Sequence, residues 1–506
     1  MSFRARDTLY TLVVVCVMLT VMPGGLTFAG ARTSRPTIHT QSDSLIPGDD
    51  ILERAVAVYE STALRFAPEI GYPRSIPLGT DWMLAVPHSW TSGFFGGVLW
   101  QLYDYSGDEV LLEQAHRWTE NLSLQATVPS HDVGFIINSS FGKGHLSTGN
   151  EWYLTVMRTA AEHLASRFDP EVGAIKAWGL SRTFMFPVII DSMMNIEILF
   201  WAARNGGDES LAETARTHAM TVARDLVRAD GSTYHAADYD PELGVLVWQG
   251  TVQGLSDTST WSRGQAWALY GFTATYRETG ERFFLDTACS LADAFISRLP
   301  EDGVPYWDFD APGGPFDSKD ASAAAIAASG LLELSSLVDD VDLSEGYATA
   351  SEDLLLRLCS EEYAAASSGL PALLLHSTGN RPLYIDVDVP TIYADYYFVE
   401  ALIRYLHMQK SNGVLRPSVV SCSPNPFAQE TEIRYELPRE STVSVRIYDV
   451  SGRQVAEPLS SQRQGPGPCR VLWRVDASSC GVATGVYFCR VVADGFDATG
   501  KLVVVR

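Results

Sequence analysis

Between residues 50 and 410, apolar positions recur three and four residues apart, the spacing of one face of an α-helix. Strand-like runs are few and short here. The connections between the helices alternate between brief turns and long loops rich in Gly, Asp, Trp and His. About a dozen helices connected in this way predict a closed α/α toroid, with the long loops gathered at one mouth. The predicted helices are residues 51–66, 93–105, 109–124, 151–166, 188–203, 209–226, 262–279, 281–299, 321–337, 346–359 and 394–408, and the long loops are 126–150, 175–186, 234–261 and 370–393.

Beyond residue 412 the pattern changes to short alternating or apolar runs separated by Gly, Pro and Ser. Such spacing is typical of a β-sandwich. The predicted strands are residues 433–437, 443–448, 471–475, 486–492 and 502–505. Four cysteines, Cys422, Cys469, Cys480 and Cys489, crowd this region and predict one or two disulfides if the protein is exported.

The stretch from Pro187 to the glycines after Asn205 is apolar on nearly every side, which predicts a buried helix with Pro187 in its first turn. It places Asp191 among Ile, Met and Trp residues, with Asn195 one turn later. Loss of hydration raises the pKa of such a carboxyl and suits it to general acid catalysis. The alternative is that Asp191 caps or braces the start of the helix.

The amino terminus has the pattern of a secretory signal: two arginines, an apolar run over residues 9–21 and a small-residue cleavage site near Ala29. That run is short for a membrane span, and no later stretch is long enough for one. We therefore predict an exported protein that is periplasmic, at the cell surface or extracellular. Its predicted parts are a signal peptide (1–31), a linker (32–49), a helical catalytic domain (50–411) and a C-terminal sandwich (415–506).

The net charge of −24 is unevenly distributed along the chain. Residues 415–506 carry +2, so the first 414 residues carry −26. This acidic surface argues against nucleic-acid binding.

The long loops contain further candidates for chemistry. His131 and Asp132 begin a His-Asp-Val-Gly-Phe run, which by itself is more typical of a turn with an apolar anchor than of a catalytic site. Ser259 or Thr260 is the expected N-cap of the following helix, where Arg263 and free backbone N–H groups would suit a carboxylate. Several of the 12 tryptophans lie on loops, which favours sugar stacking over core packing alone.

Five motifs resemble the unsaturated glucuronyl hydrolases, glycoside hydrolase family 88, in order across the helical region. This resemblance implies an (α/α)6 barrel that acts on lyase-generated oligosaccharides ending in a 4,5-unsaturated uronic acid. It further implies hydration of the C4=C5 bond without a metal or organic cofactor. The motifs are Trp90-Thr-Ser-Gly-Phe-Phe, His131-Asp-Val-Gly-Phe, Ile190-Asp-Ser-Met-Met-Asn, Trp261-Ser-Arg-Gly-Gln-Ala-Trp-Ala and Ala394-Asp-Tyr-Tyr-Phe-Val-Glu-Ala.

The resemblance also implies the roles of individual residues. Asp191 would protonate C4 and activate the water, and Asp132 would assist it. Some family members have histidine at the position of Val252, and histidine is frequent at the position of Asn380 in the loop of residues 377–382. Because that loop is expected near the second sugar, the resemblance does not extend to the preference for sulphated or unsulphated chains. The residues expected to bind the sugar or form apolar walls are His131, His235, Gln253, Arg263, Trp90, Trp178, Trp261 and Trp267.

Three C-terminal motifs resemble the immunoglobulin-like modules, related to the flagellar hook-cap domain, that end many exported bacterial proteins. In the type IX secretion system such modules are sorting signals, so secretion machinery is the expected partner of this region. The motifs are Ser423-Pro-Asn-Pro-Phe427, Tyr448-Asp-Val-Ser-Gly-Arg453 and Ala483-Thr-Gly-Val-Tyr487.

Other functions fit the same pattern of helices and loops. One alternative is another enzyme on this barrel, such as an unsaturated rhamnogalacturonyl hydrolase, a polysaccharide lyase or an ordinary inverting glycosidase. The other is a non-catalytic exported carbohydrate-binding protein, which would have no need of a buried acid at Asp191.

Overall fold

A computed structural model describes residues 46–505, except 78, 180–182, 315–316, 412–420, 438–440, 451, 466, 476–481 and 494–495. The predicted signal peptide and most of the linker lie outside the described residues.

Fourteen α-helices lie in the described part of residues 46–411, and they form an α/α barrel. α2, α10, α12 and α14 are buried along most of their length and line the inside, together with α4–α5 and α7–α8. α14 packs against both α12 and α2, which closes the ring. The helices are α1 (Gly48–Arg65), α2 (Ser92–Ser106), α3 (Glu109–Glu120), α4 (Val133–Ile137), α5 (Lys143–Thr148), α6 (Glu151–Ala165), α7 (Ser192–Asn195), α8 (Glu197–Arg204), α9 (Ser210–Leu226), α10 (Ser262–Thr279), α11 (Arg282–Ser297), α12 (Ala321–Leu337), α13 (Val341–Leu358) and α14 (Ile392–Ser411).

The prediction of a loop over residues 126–150 is wrong, because an inner helical segment lies there. α4 and α5 are joined by a π-helical turn, Asn138–Gly142. Small residues lower the helix propensity of this segment but let it pack closely. A Cβ at Gly134 would lie 2.5 Å from the Cα of Asn195, and one at Gly93 2.2 Å from the carbonyl oxygen of Ile136.

The connections that precede the inner helices contain short antiparallel strands, and together they form the mouth of the barrel. β5, β6 and β7 form a three-stranded sheet in that order, whereas the other strands form two-stranded pairs. The strands are β1 (Tyr72–Ser75), β2 (Met83–Ala85), β3 (Phe168–Asp169), β4 (Ala174–Ile175), β5 (Phe186–Ile189), β6 (Ala236–Asp240), β7 (Val245–Gly250), β8 (Ser377–Asn380) and β9 (Ile385–Val389).

The predicted helix start at Pro187 is also wrong. Pro187 lies in β5, opposite Asp238 of β6, and the helix begins only after Asp191. A fully buried strand and a buried helix have the same apolar pattern over a few residues, so periodicity alone could not separate them.

The C-terminal region is a two-sheet sandwich, as predicted. One sheet has the order β10-β11-β14 and the other β13-β12-β15-β16, and they enclose a separate apolar core that contains Ile433, Val445, Trp473 and Val491. β13 is polar and was not among the predicted strands. The strands are β10 (Ser421–Ser423), β11 (Glu430–Leu437), β12 (Ser441–Asp449), β13 (Gln454–Gln464), β14 (Gly467–Arg474), β15 (Gly485–Ala493) and β16 (Phe496–Val504).

Two of the four C-terminal cysteines face each other across the sandwich. The Sγ atoms of Cys422 on β10 and Cys489 on β15 are 3.7 Å apart, both as thiols. Cys469 is also a free thiol, and Cys480 lies outside the described residues. Among the described residues, no helix combines the length and apolar character needed to cross a membrane.

Candidate active site

Asp191 stands at the mouth of the barrel, at the N-cap position of α7, but its side chain makes no cap hydrogen bond. The side chain is 13% exposed, and its buried Oδ2 has no hydrogen-bond partner among the described residues. Burial raises the pKa of Asp191 to about 7; Arg263 opposes this rise and the charge of Asp132 adds to it. Asp191 is therefore a carboxylic acid that can both give and take a proton near neutral pH.

His235 faces Asp191 as a neutral imidazole. Its Nε2 lies 3.6 Å from Oδ2 of Asp191, while its Nδ1 accepts the backbone N–H groups of Val252 at 3.1 Å and Gln253 at 3.2 Å. Because Nδ1 is an acceptor, the proton of the neutral ring resides on Nε2, toward Asp191. Burial, with the nearby charge of Arg263, lowers the pKa of His235 to about 3.

Asp132 and His131 connect a second loop to the segment that carries Asp191. Asp132 accepts a hydrogen bond from Ser130 Oγ at 2.9 Å and lies 3.2 Å from Nε2 of His131. Nδ1 of His131 lies 3.0 Å from Oγ of Ser192, next to Asp191. His131 is buried, and this burial lowers its pKa. The pair thus fixes the position of the second carboxylate relative to the first.

Arg263 is fully buried in the first turn of α10 and is held by groups from three parts of the chain. Its guanidinium forms an ion pair with Asp320 at 3.0 Å and donates to the carbonyl oxygens of Thr378 and Gly379 in β8. It also lies 3.4 Å from Oε1 of Gln253, which places both predicted binding residues together. Its Nε has no partner among the described residues.

Asp320 was not among the sequence candidates, although it orders this part of the site. Besides the ion pair with Arg263, it accepts the backbone N–H groups of Ser322 at 3.1 Å and Thr378 at 3.2 Å. In the sequence it precedes an Ala-rich helix and reads only as an N-cap. The contact between Asp320 and Arg263 spans 57 residues and has no local signal.

The four tryptophans predicted to bind sugar are buried to different extents. Trp261 is buried, is the N-cap residue of α10 and packs on His235 at 4.7 Å between ring centroids. The prediction of Ser259 or Thr260 as the N-cap is therefore wrong, by one residue for Thr260. Trp267 is buried between Phe135 and Tyr397. Trp90 and Trp178 are half-buried at the mouth, and Trp90 packs on Tyr393 at 4.9 Å.

An α/α barrel with a buried acid, a neutral histidine and half-exposed tryptophans at its mouth defines the class of carbohydrate-active enzymes that use acid–base chemistry. Among the described residues, no group of three or more His, Cys, Asp and Glu is placed to hold a metal ion.

Known proteins match both parts of the chain. Residues 422–505 match the family described as the secretion system C-terminal sorting domain. An unsaturated glucuronyl hydrolase from Formosa agariphila is 36% identical over 406 residues, which are 78% of this chain and 97% of that protein. The crystal structure of an unsaturated glucuronyl hydrolase specific for heparin is 40% identical, with a TM-score of 0.68, over 72% of this chain and 98% of its own.

A third match is a variant of the unsaturated glucuronyl hydrolase from Streptococcus agalactiae, solved in complex with dGlcA-GalNAc6S. It is 29% identical, with a TM-score of 0.62, and covers 72% of this chain and 93% of its own. The chain belongs to the unsaturated glucuronyl hydrolase family and is a glycoside hydrolase. The resemblance, the α/α-barrel fold and the enzyme class are thereby confirmed, and the sorting domain marks the protein as exported.

Proposed function

We propose that this enzyme removes the terminal 4,5-unsaturated uronic acid from oligosaccharides by hydrating the C4=C5 bond, with Asp191 as the acid and then the base. The observation that carries the proposal is the buried Oδ2 of Asp191, which has no hydrogen-bond partner in the part of the chain that the structure describes, on a carboxyl group with a pKa of about 7.

The chemistry follows from this single carboxyl group. The neutral acid gives its proton to C4, and positive charge develops at C5 and the ring oxygen. The resulting carboxylate takes a proton from a water molecule while that water bonds to C5, which restores the acid. The hemiketal then opens and the glycosidic link is lost. One group with a pKa near neutrality suits both proton transfers.

The neighbours of Asp191 support this sequence of events. His235 presents a neutral N–H at the same point and can donate to a sugar oxygen without adding a positive charge. We assign Gln253 and the tryptophans Trp90, Trp178, Trp261 and Trp267 to sugar binding and to exclusion of water. His131 is proposed to hold Asp132, which assists Asp191. Arg263 is proposed to help bind the unsaturated sugar through the carboxylate of that sugar.

The substrates are proposed to come from glycosaminoglycans or from plant or algal polysaccharides after lyase action. The S. agalactiae relative in complex with dGlcA-GalNAc6S supports the first source. Residues 1–31 are proposed as a signal peptide, 50–411 as the catalytic barrel and 415–506 as the module recognised by type IX secretion machinery. The protein would then act at the cell surface or outside the cell.

The test is a reaction in D2O with unsaturated disaccharides from chondroitin, hyaluronan, heparin, xanthan and ulvan digests. Hydration predicts loss of the ultraviolet absorbance of the C4=C5 bond and one deuterium at C4 of the product, detected by NMR. Cleavage that leaves the double bond intact, or a product without deuterium at C4, would contradict the mechanism.

A further inference from the structure

The small sheet of β5, β6 and β7 has two different faces. Val188 and Ala237 pair across it and point into the main core of the barrel. One position along, Ile189 and Ala236 pair and point the other way, because successive residues of a strand alternate between faces. This second face, with Ala177, forms a separate apolar cluster.

Three aromatic side chains cover this second face, and we call them the aromatic platform: Trp178, Phe184 and Trp248. Trp178 and Trp248 both pack on the cluster of Ala177, Ile189 and Ala236. Phe184 lies between them, at 5.8 Å from Trp178 and 5.4 Å from Trp248 between ring centroids. All three remain half-buried, so part of each ring is open to solvent.

The backbone under the platform is firmly held. The buried carboxylate of Asp238 accepts the N–H groups of Met185 at 3.0 Å and Phe186 at 2.8 Å, directly after Phe184. Ala177, before Trp178, donates its N–H to the carbonyl of Pro187 at 2.8 Å. The backbone on either side of Phe184 and Trp178 is therefore held in position before any ligand arrives, which lowers the entropic cost of binding.

A hydrogen-bonding group lies beside the platform. A Cβ at Gly250 would lie 2.3 Å from both Cζ2 of Trp248 and Oδ1 of Asp257, so the indole and the carboxylate are neighbours. Asp257 is exposed and can accept sugar hydroxyls. An aromatic face next to a hydrogen-bond acceptor matches a sugar ring, which has an apolar C–H face and a polar rim.

The platform is continuous with the catalytic groups. Ile189 lies two residues before Asp191, and Ala236 directly follows His235. On the third strand, Gly250 pairs with Ala236 and leads into the turn whose backbone holds His235. A chain that places its unsaturated end at Asp191 can thus extend along this face.

We propose that the aromatic platform, with Trp248 at its far side, is a subsite for a sugar ring beyond the first two of the substrate, and that it favours longer oligosaccharides. This inference rests on the proposed function. Trp248 packs on the cluster of Ala177, Ile189 and Ala236, and Phe184 packs on Trp178 and Trp248. Both would therefore act through substrate affinity rather than through the chemical step.

The test compares an unsaturated disaccharide with the unsaturated tetrasaccharide of the same polymer. The polymer is the one whose disaccharide the wild type hydrates best. For Trp248→Ala, kcat/KM on the tetrasaccharide should fall about tenfold more than on the disaccharide, the scale of one lost aromatic contact, and mainly through KM. Trp248→Phe should retain most of the preference. Trp152→Ala removes a half-exposed tryptophan of α6, away from the mouth, and serves as the matched control.

Phe184→Ala provides a second variant if Trp248→Ala does not fold, and the same preferential loss is expected. Equal losses on both substrates, or no loss on either, would overturn the inference. If the wild type hydrates no unsaturated oligosaccharide, the proposed function fails instead, so the two failures are distinguishable.

Discussion

At the scale of single residues, the role proposed for Asp191 depends on the burial of its carboxyl group. Oδ2 accepts no hydrogen bond within the described structure, and burial is the largest influence on the pKa of about 7. Asp395 shows the contrast. It is also buried, but it accepts hydrogen bonds from Tyr59 and from two backbone N–H groups, and its pKa rises only to about 6.

The raised pKa of Asp191 predicts how activity depends on pH. The acid form must be present at the start of the reaction, so kcat/KM should be constant below about pH 7 and fall as the pH rises through this value. Because the charge of Asp132 raises the pKa of Asp191, Asp132→Asn should move this alkaline limb to lower pH while also reducing activity. A pH–rate profile measures both effects. If the alkaline limb stays at the same pH or moves to higher pH in this variant, the electrostatic account is contradicted.

At the scale of elements, Asp320 joins α12, β8 and α10 through the ion pair with Arg263. Arg263 is 2% and Asp320 0% exposed, and removal of one partner from such a buried pair typically costs about 3–5 kcal/mol. We expect Asp320→Asn to lower the free energy of unfolding by this amount, since asparagine preserves the N-cap but not the charge.

Asp340 provides the matched control for this prediction. It caps α13 through a 3.1 Å bond to the N–H of Leu343 and is exposed. Asp340→Asn should change the free energy of unfolding by less than about 0.5 kcal/mol in urea denaturation. Equal effects of the two substitutions would show that the ion pair contributes nothing beyond the helix cap.

The helices and strands also show which features could be predicted from the sequence. The helical period located most helices, and Ser262–Thr279 was predicted with the bounds that the structure has. The helical period gave a wrong prediction at β5, where a buried strand and a buried helix have the same apolar pattern. It also missed α4–α5, where glycine and serine allow close packing. Motif resemblance located Asp132 and Asp191, whereas Asp320 depends on a contact between distant segments.

The sandwich offers a further prediction from its facing thiols. Oxidation should join Cys422 and Cys489, because their sulfur atoms are already 3.7 Å apart, and a link across 67 residues should stabilise the module by about 4 kcal/mol. Peptide mapping under non-reducing conditions should find this pair. The melting temperature of the module should fall with reductant in the wild type but not in Cys422→Ser. A different partner for Cys422 would contradict this prediction.

At the scale of the whole molecule, all candidate site residues lie in the barrel. The sandwich has a core of its own. A protein that ends at residue 411, the last residue of α14, should therefore hydrate unsaturated disaccharides within about twofold of the full chain, as expected for independent domains. Turnover measured on both proteins tests this. A large loss in a well-folded truncated protein would assign the sandwich a part in the chemistry.

The central claim is that Asp191 transfers the proton, and the most direct test is the loss of ultraviolet absorbance with wild type and Asp191→Asn. Asparagine preserves shape and is no harder to bury, so folding should persist. Because both proton transfers depend on one group, turnover should fall by about 10²–10⁴-fold. Asp208→Asn, at an exposed site before α9, is the control and should retain full activity. A folded Asp191→Asn protein with turnover within about tenfold of wild type would contradict the account and make Asp132 the candidate acid.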